Sequence, residues 1–167
     1  KDERPATSNI VTTRTGAGNI IIYVPQDKYV TSLESDGQYI DNIDLSALTE
    51  LRILTLKNAG LTTIDLSYNN KLEKLDLSNN QLRRVDLRGP SSYFNKSNLT
   101  DINISHNQID SLLYYTIYGV TKLNVSHNNL NKLDLKDADN LRMLDISYNK
   151  FTRLLLNHSE LIEDVNV

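Results

Sequence analysis

The feature that most constrains this chain is a spacing. The pattern L-x-x-L-x-L-x-x-N-x-L, with any apolar residue at L, recurs along it. Leu72, Leu75, Leu77, Asn80 and Leu82 fill one copy, and Leu99, Ile102, Ile104, Asn107 and Ile109 fill another. Val120, Leu123, Val125, Asn128 and Leu130 follow, then Leu141, Leu144, Ile146, Asn149 and Phe151. An earlier copy, Leu51, Leu54, Leu56 and Leu61, has Ala59 in the asparagine place, and an eroded first copy holds Val30, Leu33, Gln38 and Ile40. The copies start at 30, 51, 72, 99, 120 and 141, so the steps are 21, 21, 27, 21 and 21 residues, with one insertion of 27 − 21 = 6. A unit of this length cannot bury its own apolar side, so a fixed period commits the chain to stacking one unit on the next.

Each period also holds a second half of the form L-x-x-I-D-L-S. It reads Ile40, Ile43, Asp44, Leu45 and Ser46 in one coil, and Leu61, Ile64, Asp65, Leu66 and Ser67 in the next. Both halves alternate apolar and polar residues over stretches too short for a helix. The first halves are therefore expected to pair, coil to coil, into one parallel sheet with strands ~4.8 Å apart. The second halves should form short strands or 3₁₀ turns on the opposite wall, with little or no α-helix. The predicted fold class is a repeat solenoid, divided into a flexible tail over residues 1–8, an N-terminal β-hairpin cap over 9–29, and a solenoid of about six 21-residue coils over 30–167, interrupted by an insertion at 89–98. The cap is suggested by two apolar segments, Ile10 to Thr13 and Ile20 to Val24, flanking Gly16-Ala17-Gly18-Asn19. Ile162, Val165 and Val167 look like the start of a seventh coil.

Composition narrows the function. A net charge of −3 gives no basic footprint for nucleic acid. No apolar run approaches the ~20 residues of a membrane-spanning helix. With no cysteine, disulfide staples, thiolate metal sites and cysteine nucleophiles are excluded. No phosphate-binding loop, nucleophile elbow or metalloprotease motif is present, so no enzyme activity is expected, and no cofactor.

Asn80, Asn107, Asn128 and Asn149 fall where the chain turns off the sheet. An asparagine amide offers both donors and an acceptor, and can pair backbone groups that such a buried turn would strand. These four are read as a structural ladder.

With these motifs in view, residues from Val30 onward resemble leucine-rich-repeat proteins. The run LTTIDLSYNNKLEKLDLSNNQLRRVDL is similar to the 21-residue repeat type of surface and secreted proteins of Bacteroides and relatives. The segment IVTTRTGAGNIIIYV resembles the cap that precedes such repeats, and KDER the acidic stretch after the lipidated cysteine of surface lipoproteins. The resemblance implies a right-handed superhelix and a surface-anchored or secreted bacterial recognition protein, with a periplasmic location as second choice. Membrane attachment would come only through a lipid anchor upstream of residue 1.

Alternate strand residues face outward, which gives three columns on the sheet. The first is Ser32, Ile53, Lys74, Asp101, Lys122 and Met143. The second is Glu34, Thr55, Asp76, Asn103, Asn124 and Asp145; the third is Asp36, Lys57, Ser78, Ser105, Ser126 and Ser147. Family analogy makes this the binding face, with Lys74, Asp76, Asp101, Asn103, Lys122, Asn124, Met143 and Asp145 as candidates. The face lacks the Trp, Tyr and Arg that dominate interface hot spots. A second candidate is an aromatic patch. The insertion carries Tyr93 and Phe94, and the next coil breaks pattern with Leu113 for an outward Asp, Tyr115 for an outward Ser, and Tyr118 close by. Either the insertion folds over that coil as a satellite core, or the patch meets a partner or a second copy.

Two columns invite metal readings. Asp44, Asp65 and Asp86 align, but a calcium site needs about 6–8 oxygens. His106, His127 and Tyr148 align as well, but without a third ligand or an orienting carboxylate, so a solvated edge is the expectation and no metal site is assigned. The leading functional expectation is a non-catalytic scaffold that binds a protein or a glycan. The alternative is a spacer or self-associating module that forms a homodimer.

Overall fold

In the computed structural model, residues 12–14, 20–22, 29–88, 98–114, 117–152, 154, 156 and 161–167 are described. Two short strands, β1 (Thr12–Arg14) and β2 (Ile20–Ile22), pair antiparallel. From there on every strand pair among the described residues is parallel. The seven-stranded sheet joins β3 (Ser32–Asp36), β4 (Ile53–Lys57), β5 (Lys74–Asp76), β7 (Asp101–Asn103), β9 (Lys122–Asn124), β10 (Met143–Asp145) and β11 (Asp164–Asn166), in chain order. The two remaining strands, β6 (Arg84–Asp86) and β8 (Ser111–Leu113), form a separate parallel pair. No described residue is helical. The structure is thus a parallel-strand β-solenoid of about six turns with the beginning of a seventh, and Val165 of β11 pairs with Leu144 where the period would place it.

The register follows the repeat. Leu33, Leu54, Leu75, Ile102, Leu123 and Leu144 are mutual partners along the sheet, and every one is buried. The insertion leaves that register intact, since Leu75 pairs with Ile102 across it. Behind them stack further columns, among them Leu56, Leu77, Ile104, Val125 and Ile146, and Leu51, Leu72, Leu99, Val120 and Leu141, all in one continuous core. Each coil supplies only one layer, so burial arises between coils rather than within them.

The wall opposite the sheet is less regular than strands throughout. In most coils it is made of single turns closed by bonds from an amide to the carbonyl three residues earlier, as in Leu48 to Leu45, Leu51 to Leu48, Ala138 to Leu135 and Leu141 to Ala138. They do not join into a 3₁₀-helix, and paired strands occur there only in β6 and β8 among the described residues. Aspartates start these turns. The side chains of Asp44, Asp65, Asp86 and Asp134 accept the amides of Ser46, Ser67, Arg88 and Lys136 at 2.9, 2.8, 3.0 and 3.1 Å. A carboxylate two residues before an amide is the geometry of an Asx turn, which explains why the repeat keeps Asp there.

Candidate functional site

The outward residues of the sheet fall into rows set by the backbone register. Lys74, Asp101, Lys122, Met143 and Asp164 pair in one row, and Asp76, Asn103, Asn124, Asp145 and Asn166 in the next. Lys74, Lys122 and Met143 are exposed; Asp101, Asp76, Asn103, Asn124 and Asp145 are half-buried. At the C-terminal end these rows line an open hollow of about 320 Å³, between Asp101, Asn103, Lys122, Asn124, Met143, Asp145, Asp164 and Asn166. Asp164 and Asn166 were missed from sequence; continuing the 21-residue step from Met143 and Asp145 would have found them.

The third column is not a third exposed row. Ser78, Ser105, Ser126 and Ser147 are buried, because the strand ends after the second row and the chain bends inward. Their hydroxyls turn back on the second row, donating to Asp76, Asn103, Asn124 and Asp145 at 2.6, 2.8, 2.7 and 2.7 Å. The serine amides donate to the same oxygens at 2.9 to 3.2 Å. Each second-row side chain is therefore held in one orientation by its own coil, and the first two are also tied to each other, Asn103 Nδ2 donating to Asp76 Oδ2 at 3.4 Å. Such a row is ordered before any partner arrives, which lowers the entropy cost of binding. At the first coils the third column is charged instead. Asn58 and Lys57 hold Asp36, the latter at 2.9 Å, and both lower its pKa, the Asn58 hydrogen bond most.

Behind the bend lies the asparagine ladder. Asn80 Nδ2 donates to Leu56 O at 2.7 Å and Leu77 O at 2.9 Å, while its Oδ1 accepts the amides of Ala59 and Leu61. Asn107, Asn128 and Asn149 repeat this, donating to Leu77, Ile104 and Val125 of the preceding coil and accepting from Leu82, Ile109 and Leu130. A second buried asparagine, Asn69, was not singled out from sequence. It replaces the apolar residue of that column, Leu48 one coil earlier, and ties Leu45 O and Leu48 O to its own coil.

The proposed aromatic patch is only partly visible. Tyr93, Phe94 and Tyr115 lie outside the described residues. Leu113 is half-buried and lines a hollow of about 370 Å³ on the wall opposite the sheet. Tyr118 is exposed and is not among the residues that line it. The aromatic that matters there is Tyr114, which sequence reading passed over. It takes the core place of Leu45, Leu66, Leu87 and Leu135. Its hydroxyl donates to Asp134 O at 2.6 Å and accepts Asp134 N–H at 2.8 Å. Burial pushes the phenol up to about 12. A tyrosine in a leucine column was the available signal.

The edge column of His106, His127 and Tyr148 is a stack, with ring centroids 4.0 and 4.1 Å apart and planes 13° from parallel. No group of three or more His, Cys, Asp or Glu is placed to hold a metal among the described residues.

Sheet, ladder and repeat together make a solenoid with the fold of leucine-rich-repeat proteins, and comparison with known proteins points the same way. Residues 71–93 and 140–161 match the Leucine Rich Repeat family, and residues 95–111 match a second Leucine Rich repeat family. In those stretches the chain is similar to leucine-rich repeats. Among solved structures, the functional domain of InlJ from Listeria monocytogenes superposes with a TM-score of 0.73 at 21% identity, over 82% of this chain and 29% of that one. A leucine-rich-repeat protein of Leptospira interrogans superposes with a TM-score of 0.64 at 20% identity, over 81% of this chain and 36% of its own. Osteomodulin of Bos taurus is 35% identical over 69 residues, 40% of this chain and 15% of osteomodulin. This chain thus spans well under half of each. The Listeria domain is described as including a cysteine ladder; here the ladder is asparagine and cysteine is absent.

Proposed function

We propose that this chain is a non-catalytic recognition module that binds a protein partner on the outer face of its seven-stranded sheet. The observation that carries this reading is the second row. Asp76, Asn103, Asn124 and Asp145 are fixed by serine hydrogen bonds and half-exposed at regular spacing, next to the alternating charges of Lys74, Asp101 and Lys122. Small, rigid polar groups favour a ligand that supplies its own large side chains or hydroxyls to the hollow over Asn124. A glycan is the competing ligand chemistry for the same face. The likeness to bacterial surface repeats supports placing the protein outside the cytoplasm, held by a lipid on a cysteine upstream of residue 1; metabolic labelling of the full-length protein with a palmitate analogue tests that.

The face is tested with a photo-reactive phenylalanine analogue at Lys122 or Asn124, and at the exposed Arg83 away from the sheet as the control. Cross-linking in the source cells is expected from the two sheet positions and not from Arg83, and is expected to disappear when Asn103 is also changed to Arg. Equal yields from all three sites would reject the sheet face. A cross-link to the chain itself, together with a dimer in light scattering that Asn124→Arg abolishes, would reassign the face to self-association.

A further inference from the structure

The two outward rows of the sheet carry the charge imbalance of the chain. Glu34, Asp76, Asp101, Asp145 and Asp164 stand on them against Lys74 and Lys122. Asp36 and Lys57, beside the rows, hold each other at 2.9 Å. The chain has 18 basic and 21 acidic residues, so outside the five acids and two bases of the rows it holds 16 of each. The whole surplus of −3 therefore belongs to one face. A field of one sign over a surface concentrates opposite charge there and steers its approach.

The imbalance is greatest at the C-terminal end. The hollow of about 320 Å³ there is lined by Asp101, Asp145 and Asp164 against one cation, Lys122. None of the four is in an ion pair among the described residues. Lys122 pairs in register with Asp101 and can offset only one of the three acids. Arg142, just before β10, is taken by Glu163 at 2.6 Å. Asp145 is half-buried, and its carboxylate is fixed by the amide and hydroxyl of Ser147 at 3.0 and 2.7 Å. Between Lys122 and Asp164 in the first row stands Met143, 43% exposed, the one large apolar side chain that these rows expose among the described residues. An apolar spot edged by carboxylates suits a side chain with an aliphatic stem and a cationic head. Arginine adds a planar fork that meets carboxylates through paired hydrogen bonds.

We infer that the partner of this face is a basic segment of protein, anchored by an arginine whose stem rests on Met143 and whose guanidinium meets Asp145 and Asp164. The inference rests on the sheet-face reading above and adds the chemistry of the partner. It is tested by fluorescence anisotropy on the whole chain with a labelled tetra-arginine peptide, and with a tetra-aspartate peptide as the anionic counterpart. Asp145→Asn keeps the serine hydrogen bonds, since Asn103 and Asn124 accept the same bonds in the same row. Saturable binding of the arginine peptide is expected, and none of the aspartate peptide. Asp145→Asn and Asp164→Asn should each weaken it about two- to fivefold, and together about tenfold. Lys122→Glu should tighten it. Asp139→Asn, the same change of net charge at an exposed position off the sheet, should leave it unchanged. Equal binding of the two peptides, or a loss in Asp139→Asn as large as in Asp145→Asn, overturns the inference. If the double variant keeps its full cross-link from the analogue at Asn124 to the cellular partner, that partner is not held by these acids; the inference falls and the sheet-face reading stands. If no cross-link forms from the sheet at all, both fall.

Discussion

At the scale of single residues, the fold depends on polar groups that serve the backbone rather than a ligand. The asparagine ladder converts stranded amides and carbonyls at each bend into bonds between coils, and a buried group left unpaired costs about 1–3 kcal/mol. The column beside it is subtler. Asn58, Asn79, His106, His127 and Tyr148 all have positive φ, between 52 and 57°. Asparagine and histidine visit that region more readily than other side chains, whereas a bulky tyrosine there is unusual. Tyr148 is held by stacking on His127. Tyr114 gives the sharpest residue-scale prediction. Its phenol is raised to about 12 from an ordinary value of about 10. The folded state therefore favours the protonated hydroxyl. The stability this contributes is fully present below about pH 10 and is lost as pH climbs through 12. Tyr114→Phe should cost roughly 1 kcal/mol at pH 7, because Asp134 is exposed and water can replace the hydroxyl. The difference in stability between parent and variant, measured by urea titration from pH 8 to 12, should shrink over the upper two units. A constant difference would show that the hydroxyl is not buried against Asp134.

At the scale of coils and turns, the strands and their register were legible because both rest on one arithmetic fact, the 21-residue step. Lys74, Asp101, Lys122 and Met143 fall opposite one another for that reason alone. What the pattern could not show is where a strand stops. Ser78 and its equivalents read as outward by alternation, but alternation holds only while the backbone stays extended, and these strands end two residues earlier. The back wall was equally opaque, since a short turn and a short strand carry the same leucines. The first turns off the sheet illustrate how local chemistry decides. Gly37 and Gly60 have φ of 74 and 71°. A Cβ on Gly37 meets nothing within 4 Å, while one on Gly60 falls 2.8 Å from the Tyr39 ring. Both glycine-to-alanine changes should lose about 1–2 kcal/mol to backbone strain. Gly60→Ala should lose more, and Tyr39→Ala should recover the excess, since the ring is the movable end of an exposed side chain. A double-mutant cycle by thermal unfolding checks this: zero coupling between Tyr39 and Gly60 would mean that the ring does not rest on the glycine in solution.

At the scale of the molecule, the contacts between strands run, among the described residues, only to nearest neighbours, β3 to β4, β4 to β5, β5 to β7 and so on to β11. A chain organised this way has no centre on which every coil depends, so the effect of a lesion should depend on its place in the stack. Ile102 lies between β5 and β9 partners, Leu75 and Leu123, whereas among the described residues Leu33 has a strand partner on one side only, Leu54. Both are buried aliphatics, and cutting either to alanine leaves a cavity worth about 2–5 kcal/mol where the surroundings cannot collapse. At Ile102 the cavity weakens two interfaces at once and uncouples the coils before it from those after. At Leu33 it loosens one interface at the end, where the first coil can fray without the rest. Native-state hydrogen exchange should therefore show loss of protection in Leu33→Ala confined to amides of β3 and β4, with those of Lys122 to Asn124 and Met143 to Asp145 unchanged. Ile102→Ala should lower protection on both sides of β7. If the two variants instead lose protection evenly along the whole sheet, the coils unfold as a single unit, and the energies that hold them would have to extend beyond the nearest neighbour.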